Sequence, residues 1–121
     1  METPKIFESE YRFACIVWAR EPVTTKELIQ LCQEQLEWKR TTTYTVLKRL
    51  CERGIFQTEN SVVTSIIPQE EIQRGESRQF VKRTFGGSLP GFIAAFLGGD
   101  TLSEQEAEEL KAMIDQHKEV R

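Results

Sequence analysis

One histidine and three cysteines are all the imidazole and thiol that this 121-residue chain contains. A structural zinc site draws several such ligands together, and Cys15, Cys32, Cys51 and His117 are scattered, so no metal or other cofactor is expected. The cysteines are odd in number, and each falls on an apolar helical stripe, which makes them buried free thiols instead of a disulfide framework. His117 stands near the C terminus with no nucleophile and orienting group around it, so the chain is not expected to be an enzyme. The glycine pairs at 86–87 and 98–99 follow helices instead of leading from a strand into one, which excludes a phosphate loop. No apolar run approaches the roughly 20 residues that cross a bilayer. The opening METPKIFESE also has no apolar signal core, so membrane insertion is excluded and a cytoplasmic location expected. An excess of positive charge is missing too, because the formal net charge is -3. Residues 1–58 hold nine basic against eight acidic side chains, and residues 59–121 hold seven against eleven. Any contact with nucleic acid must therefore come from a local patch and not from the field of the whole chain.

Such a patch is present in Trp38 to Gly54, WKRTTTYTVLKRLCERG. If Thr41 to Arg53 is helical, Val46, Leu47, Leu50 and Cys51 gather on one side as core. The other side then carries Thr41, Tyr44, Thr45 and Lys48, with Lys39 and Arg40 ahead of it and Arg49 and Arg53 on its flanks. Gly54 suits the left-handed position that closes a helix. A short helix with hydroxyls, one tyrosine and cations on its free side can enter a DNA major groove. The same pattern also fits an amphipathic helix with a solvated face, so the neighbouring segments have to decide.

Upstream, Ser9 can cap a helix of about Ser9 to Ala19 with Tyr11, Ala14, Cys15 and Trp18 as its apolar stripe, and Pro22 breaks it. Thr24 and Glu27 form a capping box for a second helix that buries Leu28, Leu31 and Cys32 and runs to about Leu36. Downstream, 55–58 and 61–67 are short β-branched runs with Glu59-Asn60 as the turn of a hairpin. Helix, helix, helix, hairpin is the order of a winged helix, in which the third helix reads DNA and the hairpin flanks it. The fold class is thus mainly α, with a small β part: a winged helix-turn-helix domain, residues 1–68, followed by a helical tail, residues 69–121.

In the tail, Pro68 leads a helix over Gln69 to Thr84 that is sparse in apolar residues, with Ile72, Val81 and Phe85. Ser88 caps a brief helix, Leu89 to Leu97, with a dense stripe of Phe92, Ile93, Phe96 and Leu97. The last helix starts at Leu102-Ser103, where Leu102 and Ala107 can staple its first turn, and continues the apolar side through Leu110, Met113 and Ile114. These stripes have little of their own chain to cover them, so a homodimer is expected through Phe85, Leu89, Phe92, Ile93, Phe96, Leu97, Leu110 and Ile114. Packing of the tail onto the first domain is the other possibility.

The series SEYRFACIVWAREP, TTKEL, W-KRTTTYTVLKRLCERGI, IPQEE, FVKRTFGGSLPGFIAAFL and LSEQEAEELKAMI resembles the penicillinase-repressor (BlaI/MecI/CopY) family over roughly Glu8 to Asp115. The resemblance implies a transcriptional repressor whose winged-helix domain binds double-stranded inverted-repeat operators and whose helical tail holds a homodimer. It implies base reading by Thr41, Thr42, Tyr44, Thr45 and Lys48, and phosphate contacts by Lys39, Arg40, Arg49 and Arg53. In the antibiotic-resistance branch, proteolysis linked to a membrane-bound sensor metalloprotease cuts the tail. The matching bond here is Ala95-Phe96, although Phe92, Ile93 and Phe96 also read simply as dimer core. The tail has no cysteine, which argues against the copper-sensing branch.

The sequence departs from the family pattern in four places. Lys39 stands where relatives have a small capping hydroxyl, Glu59-Asn60 replaces a lysine and glycine in the hairpin, Tyr44 takes the place of a frequent arginine, and Ala95 that of an asparagine. A winged-helix protein-interaction module without DNA binding is the alternative function, in keeping with the near-neutral first half and acidic tail.

Overall fold

The computed structural model of the protein describes residues 3–119. The chain divides into two compact units, a head of residues 1–79 and a tail of residues 80–121.

The head is built on three helices: α1 (Glu8–Arg20), α2 (Thr25–Leu36) and α3 (Arg40–Glu52). Helix α1 starts one residue before Ser9, and Ser9 does not cap it. The Glu10 carboxylate does, accepting the Phe7 N–H at 3.0 Å. Its innermost face is Phe13, Ala14, Ile16 and Val17, so of the stripe expected on Tyr11, Ala14, Cys15 and Trp18 only Ala14 is fully buried, and the other three lie to one side. Those three form a half-buried flank. The reason is tertiary, because the segment that follows the hairpin covers the flank with polar groups. Trp18 Nε1 donates to the Ile67 carbonyl at 3.1 Å, and the Tyr11 hydroxyl accepts from the side-chain amides of Gln69 and Gln73, each at 3.2 Å. A tryptophan can lie at such a boundary because its ring is apolar and its N–H has a partner.

Thr24 caps α2, its hydroxyl accepting the Glu27 N–H at 3.1 Å and donating to the Glu27 carboxylate at 2.9 Å. Between α2 and α3, Glu37 takes a left-handed φ of 57°, and Trp38 stacks on Phe13 with ring centroids 5.8 Å apart. That stack pins the start of α3 to the core of α1. At the other end Gly54, at φ 80°, closes α3 as expected, and the N–H of Ile55 returns to the Leu50 carbonyl at 3.0 Å.

The wing is a hairpin of β2 (Phe56–Glu59) and β3 (Val62–Ser65), antiparallel with Glu59 opposite Val62. Its tip is Asn60-Ser61, at φ 51° and 61°, one residue later than the Glu59-Asn60 turn expected. A two-residue hairpin turn of this kind needs two left-handed residues, and asparagine tolerates that conformation better than glutamate does. Before α2, Val23–Thr24 forms a short strand, β1, that pairs with β3, giving a three-stranded sheet in the order β1-β3-β2. Glu21 ties the hairpin back to the end of α1 by accepting the Ser65 N–H at 2.8 Å and the Ser65 hydroxyl at 2.9 Å.

Phe13, Val17, Leu28, Leu50, Ile55, Phe56, Val63 and Ile72 fill the core of the head. Each such side chain contributes about 1.5–3 kcal/mol on leaving water. Ile72 comes from the next helix, α4 (Gln69–Phe85), whose first part therefore belongs to the head. The division between the units falls within α4, at 79/80, further along than Pro68.

The tail continues α4 and adds α5 (Leu89–Leu97) and α6 (Glu104–His117). Ser88 and Ser103 cap these two, accepting the N–H groups of Gly91 at 2.9 Å and Glu106 at 3.1 Å. Phe80, Phe85, Phe92 and Phe96 form a chain of aromatic contacts with centroids 5.4 to 6.0 Å apart. No residue of α5 or α6 is buried among those described. No described helix is long and apolar enough to cross a membrane.

Candidate nucleic-acid interface

Helix α3 divides cleanly between core and water. Thr43, Val46, Leu47 and Leu50 face inward, while Thr41, Thr42, Tyr44, Thr45, Lys48 and Arg49 are exposed. At 100° per residue, Thr41, Thr45 and Lys48 lie along the crest opposite Leu50. Lys48 forms no ion pair among the described residues. The crest therefore presents two threonine side chains and one unneutralised ammonium at helical spacing.

The threonines differ in what their hydroxyls do. Thr45 Oγ1 donates to the Thr41 carbonyl one turn back at 2.9 Å, whereas Thr41 and Thr42 make no such bond among the described residues. Thr43 is 1% exposed and belongs to the core. Tyr44, 41% exposed, has the Arg40 guanidinium over its ring at 5.7 Å. Arg40 and Tyr44 line a cleft with Thr25, Lys26 and Ile29 from the start of α2. Lys26 thus joins the same surface, although the spacing within α3 gave no hint of it. The signal lay in the order of the helices, because in a helix-turn-helix the helix before the reading helix meets the phosphate backbone.

Lys39 occupies the cap of α3 without a side-chain hydrogen bond, so the small capping hydroxyl of the family pattern has no counterpart here. The N–H groups of the first turn remain open between two exposed cations, Lys39 and Arg40. Open N–H groups and the positive end of the helix dipole together favour an anion there.

Arg49 and Arg53 are placed differently from the other cations. Arg53 donates to the Glu10 carboxylate at 2.6 Å and to the Lys5 carbonyl at 3.2 Å, and its guanidinium lies 5.6 Å from the centre of the Phe7 ring. Arg49 is exposed, with Nη1 at 4.0 Å from the other Glu10 oxygen. Burial alone would raise the Glu10 carboxyl. The Arg53 hydrogen bond, the Phe7 N–H and the charges of Arg53 and Arg49 outweigh it and hold the group below the usual glutamate value.

All three cysteines are free thiols, as expected, but they differ in burial. Only Cys32 is buried, and its burial pushes the thiol up, while Cys15 and Cys51 are half-buried. Cys51 lies on the edge of the α3 stripe, 3.7 Å from the Thr58 hydroxyl of the wing.

Of the apolar tail positions named from the sequence, Leu89, Ile93, Phe96, Leu110 and Ile114 are exposed, and Phe85, Phe92 and Leu97 are half-buried. Ala95 and Phe96 are both exposed within α5.

Three helices with a hairpin behind them and an uncovered third helix define a winged helix-turn-helix protein. A family profile described as Penicillinase repressor matches residues 6–116, and the chain belongs to that family, one of transcriptional repressors and not of enzymes. The penicillinase repressor of Bacillus licheniformis is 27% identical over 119 residues, covering 95% of this chain and 93% of its own. The methicillin resistance regulatory protein MecI of Staphylococcus aureus strain Mu50 is 24% identical over 118 residues, covering 94% and 96%. An uncharacterized 16.5 kDa protein of Latilactobacillus sakei is 26% identical over 116 residues, covering 93% and 80%.

Proposed function

We propose that this protein is a repressor that binds inverted-repeat operators as a homodimer, with α3 of each subunit in the major groove. The observation that carries the reading is the exposed crest of Thr41, Thr45 and Lys48, which the head's own core leaves uncovered. Around it, Lys39 and Arg40, the open first turn of α3, and Lys26 at the first turn of α2 are suited to phosphates, which position the helix without reading sequence. Thr42 and Tyr44 extend the reading surface on either side of the crest. Arg49 adds charge at the far end, while Arg53 holds the fold together by its bond to Glu10.

The dimer rests on the exposed apolar side chains of α5 and α6. Leu89, Phe96, Met113 and Ile114 are each more than half exposed, a cost that a second copy would relieve. Two heads on one frame also convert two modest contacts into one strong one. Cutting the tail at Ala95-Phe96, through a membrane-bound sensor metalloprotease, would undo that gain. Phe96 is 65% exposed, but the bond lies inside α5, so cleavage requires that helix to open first. A fragment ending at Ala95, found by intact mass in cells grown with a cell-wall antibiotic and absent without it, is the expected sign.

The test of DNA binding is fluorescence anisotropy on a duplex carrying the promoter upstream of the protein's own gene, at two salt concentrations. Binding that is specific for that duplex and falls steeply with salt is expected. The competing reading, a winged-helix module for protein partners, is favoured by the acidic Glu59 at the exposed wing. It predicts no preference for the promoter duplex at any salt.

A further inference from the structure

The three exposed threonines of α3 are chemically alike in sequence but not in the fold, and the difference bears on which base the helix reads. This inference rests on the reading above, that α3 enters a major groove. A threonine at a base edge has two ways to contribute: its hydroxyl can exchange hydrogen bonds with ring and exocyclic atoms, or its methyl can lie against the thymine methyl. In Thr45 the hydroxyl proton is already given to the Thr41 carbonyl at 2.9 Å. An oxygen held that close to a backbone carbonyl lies against the helix, and the methyl, staggered from it on the same Cβ, is what remains to face outward. Thr41 and Thr42, by contrast, keep their hydroxyls uncommitted among the described residues. Thr45 also sits beside Thr41 and Lys48 on the crest, where approach to the base edges is closest.

We infer that Thr45 is the residue of α3 that selects thymine, through methyl-to-methyl contact, with one thymine in each operator half-site. Among the four bases, thymine alone places an apolar group in the major groove, so an outward methyl has one matching partner. The bond to Thr41 serves the selection in two ways. It fixes the rotamer, so that the methyl is ordered before binding, and it removes the donor that would otherwise satisfy guanine or adenine acceptors.

Uracil provides the test, because replacing thymine by uracil deletes the base methyl and leaves Watson–Crick pairing intact. Anisotropy is measured on promoter duplexes in which each thymine of the bound half-sites is replaced singly by uracil. One position per half-site is expected to show about a fourfold loss, the worth of one buried methyl. Thr45→Ser, which keeps the hydroxyl, is expected to show a similar loss on the normal duplex and none further on the uracil duplex. Thr45→Val, which keeps a methyl and loses the hydroxyl, is expected to bind within about twofold of the parent and to retain the uracil response. Specific, salt-dependent binding with no thymine sensitive to uracil would overturn the thymine contact while leaving DNA binding intact. Loss on Thr45→Val as large as on Thr45→Ser would assign the contact to the hydroxyl. Failure of the parent protein to prefer the promoter duplex would remove both.

Discussion

The Arg53 guanidinium stands 2.6 Å from a Glu10 carboxylate that is 3% exposed, joining the end of α3 to the start of α1 across 43 positions of sequence. Glu10 has a second partner in the Phe7 N–H, and Arg53 a second in the Lys5 carbonyl. The pair thus fastens the segment ahead of α1 to the helix that bears the proposed reading surface. Removing Arg53 would leave a buried carboxylate with one hydrogen bond and no counter-charge nearby except Arg49. Arg53→Ala is expected to cost about 1–3 kcal/mol, below the figure for a fully enclosed pair because the arginine side chain keeps 31% of its exposure. The midpoint of urea unfolding measures it.

The same pair sets a pH dependence. Glu10 is held below its ordinary value in the folded protein, so the unfolded chain binds its proton first as pH falls. The stabilisation is therefore complete above the ordinary glutamate value and is lost as pH drops below that value toward the lowered one. Glu10→Gln lacks this contribution. Parent and variant should be furthest apart near neutral pH and converge in acid, as read from urea midpoints between about pH 7 and 3. Parallel curves would mean that Glu10 is not the group responsible.

Trp18 joins α1 to the residues that lead into α4, with its ring against Tyr11 and Phe56 and its N–H on the Ile67 carbonyl. Trp18→Phe keeps an aromatic ring and loses the hydrogen bond. A loss of about 0.5–1.5 kcal/mol in the stability of the head is expected, by thermal or urea unfolding.

The two kinds of cation around α3 should separate under salt. Lys26→Ala removes a proposed phosphate contact and should weaken all duplexes about equally, lowering the slope of log affinity against log salt by about one. Lys48→Ala should reduce the slope in the same way and, in addition, narrow the gap between promoter and unrelated duplex. Titrations at four or five salt concentrations on both duplexes test this.

In the tail, a charge placed on the exposed apolar stripe should break the proposed pairing without unfolding the head. Phe96 and Ile114 are 65% and 63% exposed, so Phe96→Glu and Ile114→Glu leave the core of the head untouched, and Phe96→Glu gives up only the contact with Phe92 within its own subunit. Light scattering at micromolar concentration is expected to give a dimer for the parent and a monomer for each variant. A parent mass already at the single-chain value would refute the dimer.

Much of the architecture is written locally in the sequence. Thr24, Ser88 and Ser103 cap helices where their hydroxyls stand beside free N–H groups, and Gly54 ends α3 where a left-handed residue is required. The core and free faces of α3 follow from its 3.6-residue period, because both sides are strongly marked. The face of α1 was harder to read. It is apolar on more than one side, and periodicity cannot choose between stripes when neighbours cover several of them. The β1 strand is two residues long, too short to show a pattern, and exists because β3 offers it an edge.

The amino-acid order by itself determined the helices, the ends set by Thr24, Gly54, Ser88 and Ser103, the presence of a hairpin, and which residues of α3 stand opposite its core, since each depends on neighbours within a turn or two. Only the tertiary structure decided that Glu10 is buried against Arg53, that Lys26 shares a surface with Arg40 and Tyr44, and that Cys32 alone among the thiols is enclosed. Those facts depend on groups brought together by packing, and no local spacing records which distant partner a side chain will meet.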